Sequence, residues 1–538
     1  MRKATILVLI AGLFALACGP AAQQQPQAAS NQPKPGGFLN VTIETDPFDW
    51  DITYVGKSDP NKTGIGLSYL SLLKFKSGPE VEYVENVLQP ELAERWTVSP
   101  DAKTFTFNLR KDVKYPAAPP FNGRDLTSAD VKWTMDYRMR FGEFKSLPVD
   151  QAGFLLEGLE RVDTPDPYTA VIHFKTPFAP FLNYAASRWN PILPKEIYEQ
   201  DGHFKDKIAG PGPYNLDTNA SQNGTRLVWK KNPTHYNAGN IYLDEIRWIV
   251  LPSESSAFAA FQTKQLDIVE ALVYHPYTDV TKGSPQAESY KYYATNAQQI
   301  HLSQAKKGPQ NDVRVRRALA MSFDRDELSR ILAGGQALWA IPGAQANEYS
   351  EAETKRLVKQ DVEAAKRLMA EAGYASGFEL EWPYPSTESQ GNITMYQLIQ
   401  AQARRIGVNI VLKPMDLAEQ RAKRRRGDFD VDASIGGTGQ LNSDVDSMLF
   451  GKYHSTASGN NPKIKDPELD KLLEAQRQES NEGKRAEIFK KITVLLLDQW
   501  WSLDTIYIPR WYVWHPHVKN FRPHYTDSPS YRFAWVER

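Results

Sequence analysis

Apolar and polar residues alternate strictly from Thr104 to Leu109, with Phe105, Phe107 and Leu109 on one face and Thr104, Thr106 and Asn108 on the other. Thr169 to Phe174 alternates in the same way. A period of two predicts strands of a half-buried sheet. Phe38–Ile43 reads as a further strand near the start. Between Gly210 and Asp267 the pattern is turn, strand, turn, strand, helix, strand: strands at Arg226–Lys230 and Ile246–Leu251, a helix at Ser253–Lys264, and a buried strand at Leu266–Val269. Strand, helix, strand in that order implies parallel pairing and an α/β lobe.

A second α/β run follows. Helical spacing marks Asp312–Phe323, Asp326–Leu332, Val362–Ala372 and Thr394–Ile406, with strands at Glu379–Pro383, Asn409–Lys413 and Asp430–Ser434. Leu469–Trp501 has a strong helical pattern, and Leu503–Trp514 reads as extended. Thr127-Ser128-Ala129-Asp130 has the hydroxyl and acidic residues that suit a helix start, with the helix running to Arg140. Gly66–Phe75 has helix-like apolar spacing, and the segment PELAERW (Pro90–Trp96) reads as a helical turn. A chain of 538 residues exceeds what one hydrophobic core organises, so two or more lobes are expected.

The first residues are of another kind. Arg2 and Lys3 precede an apolar run, Ile6–Ala17, that ends at Cys18, the one cysteine of the chain. The run is too short to span a bilayer and reads as a secretory signal peptide, residues 1–17. The small residues before Cys18 resemble the lipobox of bacterial lipoproteins, in which the signal is cleaved before the cysteine and the cysteine is acylated. Lipidation also accounts for a lone thiol in an oxidising compartment, where no internal disulfide is open to it. Residues 18–37, rich in Gln, Pro and Ala, carry no hydrophobic periodicity and are expected to be a flexible tether. No later stretch has the roughly 20 apolar residues of a membrane span. The expected location is therefore the periplasmic or extracytoplasmic face of a membrane, held by a lipid anchor only.

Lys+Arg and Asp+Glu each number 64, so the formal net charge is zero. No global field draws nucleic acid, and none is expected as a partner. The basic run Lys423–Arg426 reads as the solvated face of a helix, and Arg426-Gly427-Asp428 as turn chemistry between a helix and a strand. His515, His517 and His524 lack metal-ligand spacing. Gly436, Gly437 and Gly439 match no phosphate-binding pattern, and neither a metal nor a cofactor is expected. There is no GxSxG, no HExxH and no Cys–His pair, which disfavours an enzyme. Aromatic residues make up 11% of the chain. Most should be core, with the rest available to a recognition cleft.

Pro90–Lys114 (PELAERWTVSPDAKTFTFNLRKDVK) resembles the signature of extracellular solute-binding family 5, the oligopeptide-, dipeptide- and nickel-binding proteins of ABC transporters. Leu126–Val131, Gly210-Pro211-Gly212-Pro213-Tyr214, Lys231-Asn232-Pro233, Tyr242–Ile246, Asp312–Leu319 and Phe323–Asp326 resemble further blocks of that family in its order, and the likeness runs from about Gly36 to Pro523. The fold implied is α/β, periplasmic-binding-protein-like type II: two α/β lobes with a double crossover hinge and an extra subdomain inserted in the first lobe. On this chain lobe I takes 38–58, 178–298 and 506–538, the inserted subdomain 59–177, and lobe II 299–505. The crossings are expected near Asn296–Ser303 and Leu503–Arg510.

Family members that bind peptides use a cleft aspartate for the ligand's α-amino group. Here the corresponding stretch, Gly436–Asp446, lacks the family's Tyr-Pro-Asp-Pro core and offers Asp444 or Asp446; as loop or helix-cap residues either could also be structural. Trp339, after a glycine-flanked helix end, and Tyr384, just past a strand, are placed by the resemblance near the cleft and could stack on a ligand. Trp500, Trp501, Trp511 and Trp514 cluster near the second crossing and read as packing. The function implied is the substrate-binding component of an ABC importer, a monomer that captures a small-molecule or peptide ligand and passes it to permease subunits. An oligosaccharide or another solute is the alternative within the family. A secreted hydrolase or a chemosensory receptor is the alternative outside it.

Overall fold

The computed structural model describes residues 32–538 except 46, 48–49, 54–63, 84, 149, 151–152, 272–273, 294–296, 347, 435–443, 525–530 and 538. The signal segment, Cys18 and most of the tether lie outside the described residues. Lys34–Arg538 fold as one unit.

A seven-stranded sheet organises the first lobe. Its strands lie in the order Glu288–Tyr293, Pro509–Trp514, Ile268–Ala271, Phe38–Ile43, Glu245–Val250, Arg226–Lys231 and Tyr214–Leu216. Phe38–Ile43 runs parallel to both Glu245–Val250 and Ile268–Ala271. The two strands of the strand–helix–strand segment lie parallel in one sheet, as expected, but do not pair with each other: the N-terminal strand sits between them. A right-handed crossover through a helix leaves room for such an insertion, and local sequence carries no sign of it.

Attached to this lobe is a four-stranded antiparallel sheet in the order Ala93–Val98, Thr104–Leu109, Thr169–Phe174, Leu159–Asp166. The inward residues Phe105, Phe107, Ile172 and Phe174 pack under the helix Ser128–Met139 through Val131 and Met135. That helix begins where its sequence predicts: the Thr127 N–H donates to the Asp130 carboxylate at 2.8 Å. The expectation of a helical turn at PELAERW is corrected. Ala93–Val98 is a strand, with Trp96 opposite Phe107 and Val98 opposite Phe105. Its helix-favouring residues yield to a partner strand that takes up their backbone groups. The helix-like stretch at Gly66–Phe75 is likewise only partly helical: Ile65–Ser68 is a short helix and Leu73–Phe75 a strand.

The glycines of Gly210-Pro211-Gly212 have a steric cause. A Cβ on Gly210 would lie 2.5 Å from the Ser68 carbonyl oxygen, and one on Gly212 would lie 2.3 Å from that of Leu67. Only glycine lets these two backbones meet.

The second lobe has its own core around Ile300, Leu319, Leu328, Trp382, Ile399 and Val408. It holds a three-stranded sheet, Val431–Ser434, Gln299–Leu302 and Ser502–Asp504, and the parallel pair Phe378–Pro385 and Val408–Met415 around the helix Gln390–Arg404. A further cluster around Leu449, Leu473 and Leu496 joins the helices Val445–Tyr453, Pro467–Gln478 and Glu482–Gln499. The helical pattern at Leu469–Trp501 is thus two helices. Asn481 accepts from the Lys484 N–H and caps the second.

The chain passes between the lobes twice, from Tyr293 to Gln299 and from Asp504 to Pro509. The second lies inside the expected Leu503–Arg510, and the first begins before the expected Asn296–Ser303. They are bonded to each other: the Gln298 N–H donates to the Ile506 carbonyl and the Thr505 N–H to the Gln298 carbonyl, both at 2.9 Å.

Candidate functional site

Strand direction fixes where the lobes meet. Phe38–Ile43, Glu245–Val250 and Ile268–Ala271 are parallel, and Pro509–Trp514 runs antiparallel to both Ile268–Ala271 and Glu288–Tyr293. Both crossings therefore leave the first sheet at the edge formed by the carboxyl ends of its parallel strands, which is where open α/β sheets bind ligands. On that edge Arg510 lies 3.8 Å from Glu270, with side chains 17% and 30% exposed. The Tyr292 hydroxyl donates to Glu270, and the Tyr292 ring stacks between Tyr83 at 4.1 Å and Tyr512 at 5.6 Å. Burial acts against the charge of Arg510, but Tyr292 and Glu270 outweigh it and raise the guanidinium's pKa, so it stays charged.

The second lobe presents a polar sheet face at its own crossing. Ile300, Leu302, Val431 and Leu503 point into the core, which leaves Gln299, His301, Asp432, Ser502 and Asp504 on the opposite face. Gln299, Ser502 and Asp504 form a relay with Lys452: Lys452 Nζ donates to Gln299 Oε1 at 2.9 Å, Gln299 Nε2 to Asp504 at 2.8 Å, and Ser502 Oγ to Asp504 at 2.6 Å. Burial pushes the Asp504 carboxyl up, against Gln299, Ser502 and Lys452. Burial brings the Lys452 ammonium down to about 8, with Asp504 opposing. Asp432, raised to about 6 by burial, is offset by Arg424 at 2.7 Å.

Beside the crossings lies a cavity of about 380 Å³. Its wall includes Lys291 and Tyr293 from the first sheet, Tyr507 from the second crossing, and Trp339, Tyr349 and Lys355 from the second lobe. Leu338–Trp339 pairs with Ile506–Tyr507, which fixes Trp339 against the crossing. Trp339 Nε1 donates to Asp326 at 3.0 Å, and Lys355 Nζ sits 5.4 Å from its ring centre. The Tyr507 hydroxyl donates to the Ala344 carbonyl at 2.5 Å. A volume of this order suits a small ligand, with aromatic area for contact and polar groups for orientation.

Of the residues singled out by sequence, Trp339 lines this cavity. Tyr384 does not; it packs edge-on against Tyr396 at 5.7 Å. Asp444 caps the Val445–Tyr453 helix and is paired with Arg485 at 2.6 and 2.9 Å. Asp446 is fully buried against Arg477 at 2.8 and 2.9 Å. Both carboxylates already have cationic partners. The glycine loop preceding them, 435–443, lies outside the described residues.

The histidines are individually engaged: His515 with the Phe261 carbonyl at 3.0 Å, His517 with Asp267 at 2.7 Å and His524 with the Glu85 carbonyl at 2.8 Å. Gly427, at φ 74°, ends the helix Leu417–Arg426, and Asp428 lies 3.8 Å from both Lys423 and Arg426. Turn chemistry accounts for the Arg-Gly-Asp tripeptide. Sequence reasoning missed Lys291, Tyr293 and Tyr507 in the cavity wall and the relay around Asp504. The one signal for Tyr507 was its place in the extended 503–514 segment; the relay residues had none.

Residues 87–460 match the family model described as bacterial extracellular solute-binding proteins, family 5, middle. The chain belongs to that family. This family 5 protein is 25% identical to the periplasmic oligopeptide-binding protein OppA of Haemophilus influenzae, over 81% of this chain and 83% of that one. It is also 25% identical to a dipeptide-binding protein of Escherichia coli, over 93% and 92%. Among solved structures it resembles DppA of Helicobacter pylori in complex with the peptide STSA, with a TM-score of 0.76 and 20% identity, covering 94% of this chain and 99% of that one. The fold of the family 5 protein is thus the type II periplasmic-binding-protein fold expected from its sequence. Among the described residues no helix is long and apolar enough to cross a membrane.

Proposed function

We propose that this chain is the lipid-anchored substrate-binding component of an ABC importer, capturing a peptide-like solute between two lobes and delivering it to the permease subunits. The observation that carries this reading is a cavity walled by both lobes and by one of the crossings that join them. Groups that move apart when the lobes open can hold a solute only while the lobes are closed. Trp339 supplies a face for an apolar or aromatic side chain, and Lys291 and Asp326 in the same wall supply charges of both signs for a zwitterion's termini. The names of the relatives, oligopeptide- and dipeptide-binding, support the peptide class. Lobe I is taken as 38–58, 178–298 and 506–538, with the insertion at 59–177 and lobe II at 299–505.

Because a ligand that binds only the folded state stabilises it, di- to hexapeptides are expected to raise the melting temperature of the mature chain. A panel in which oligosaccharides shift the transition and no peptide does would replace peptide by sugar as the ligand class. For the anchor, Cys18→Ser is expected to release the protein from membranes; continued tight association would count against lipidation.

A further inference from the structure

The two aspartates of the Val445–Tyr453 helix meet more than their arginines. The Tyr184 hydroxyl donates to Asp446 at 2.5 Å, and Asn183 Nδ2 donates to Asp444 at 2.8 Å. Tyr184 packs in the hydrophobic cluster of the first lobe, whereas the helix carrying Asp446 packs in a cluster of the second. Two more bonds cross at the same place. The Ala179 N–H donates to the Arg477 carbonyl at 2.7 Å, and Arg477 Nη1 donates to Glu157. The Arg477 guanidinium lies 3.3 Å from the Phe450 ring centre on its own side and 5.5 Å from that of Phe178 across the junction.

The distribution of charge is informative. Asp446 is neutralised by Arg477 and Asp444 by Arg485, and all four residues belong to the second lobe. Across the junction run a hydroxyl, a side-chain amide and a backbone N–H, all neutral, and one carboxylate, Glu157, whose side chain is 50% exposed. Parting the lobes would therefore leave no buried charge without its partner. Such a set can break and re-form, whereas a buried ion pair split between the lobes would resist opening.

We propose that Asn183, Tyr184, Ala179 and Glu157 close onto the Asp444–Asp446–Arg477–Arg485 cluster as a latch that holds the lobes shut without a solute. On this account Asp444 and Asp446 are the receiving half of the latch and not anchors for a ligand amine. The inference goes beyond the proposed function and does not depend on the ligand's identity.

The test uses the ligand-free chain with Cys18→Ser, labelled at Glu143→Cys in the first lobe and Glu468→Cys in the second. Both positions are exposed. The distribution of distances between the labels is read by pulsed electron spin resonance. The latch predicts that Tyr184→Phe combined with Asn183→Ala moves population from a short to a longer distance. At about fivefold per neutral hydrogen bond, the closed-to-open ratio should fall about 25-fold. Glu157→Gln alters only a half-exposed side chain and should give a smaller shift in the same direction, which keeps the test valid should the double variant fold poorly. Distributions that coincide for the parent and Glu157→Gln, and for the double variant where it folds, would overturn the proposal, whether they are short or long.

Discussion

The carbonyl of Gln298 accepts two hydrogen bonds from Thr505, one from its backbone N–H and one from its hydroxyl, each 2.9 Å long. The residues are 207 positions apart and belong to the two crossings. The crossings therefore form a bonded pair, and a hinge made of two bonded segments bends about a defined axis more readily than it slides. Thr505→Val keeps the side-chain shape and removes one of the two bonds. A loss of about 1 kcal/mol is expected, read as a lower denaturant midpoint with an unchanged slope.

Acid stability should depend on a buried carboxylate outside the two crossings. Glu91 is buried against Arg532 at 2.8 Å, Lys74 at 3.7 Å and the Tyr236 hydroxyl at 2.7 Å. Burial acts to raise its carboxyl, but Arg532 and Lys74 prevail and hold it at about 2. Its folded pKa lies below its unfolded one, so the stability it contributes is complete above about pH 4.5 and is lost as pH falls toward 2. In Glu91→Gln this acid-dependent component should disappear, as shown by unfolding curves measured from pH 6 to pH 2.

His235 is held at about 3, first by burial and then by Arg532. The folded state binds its proton less readily than the unfolded chain does. Stability should therefore decline from about pH 6.5 downward, at a slope approaching about 1.4 kcal/mol per pH unit for this one group. Its Nδ1 accepts from the Asn237 N–H at 3.1 Å, a role that an asparagine oxygen can take over. His235→Asn should flatten the profile between pH 6.5 and pH 4 while leaving neutral-pH stability nearly unchanged.

Arg138 and Asp150 form a pair at 2.8 Å whose side chains are both out of contact with water. Arg138 also donates to the Trp189 carbonyl at 2.5 Å and to Asn190 at 2.8 Å. Arg138→Met breaks this buried pair and its hydrogen bonds, so a loss of about 3–5 kcal/mol is expected in urea unfolding.

Trp339 is half-buried: its ring packs at the margin of the second lobe's core, under Lys355, and its Nε1 donates to Asp326. Trp339→Ala should leave the unfolding transition within about 1 kcal/mol of the parent and weaken binding of a responsive peptide about tenfold. Calorimetric titration of both chains separates these effects. An unaltered affinity would remove Trp339 from the site.

Periodicity by itself determined most of the elements. Phe105, Phe107 and Leu109 could be buried together only on a strand, and Leu319 and Leu328 only on helices, because side-chain direction follows local geometry. The order of strands and helices determined an α/β chain, and long blocks such as Pro90–Lys114 determined its family. Pairing was decided by the tertiary structure: Ala93–Val98 became a strand because Thr104–Leu109 lay beside it, and Phe38–Ile43 entered the sheet between two strands more than 200 residues later. The chemistry around Asp444 and Asp446 was decided there too. A carboxylate's role depends on which charges lie within a few ångströms of it, and those on Arg477 and Arg485 come from helices whose approach no local pattern records. Local sequence sets which way a side chain points, and only the packed chain sets what it meets.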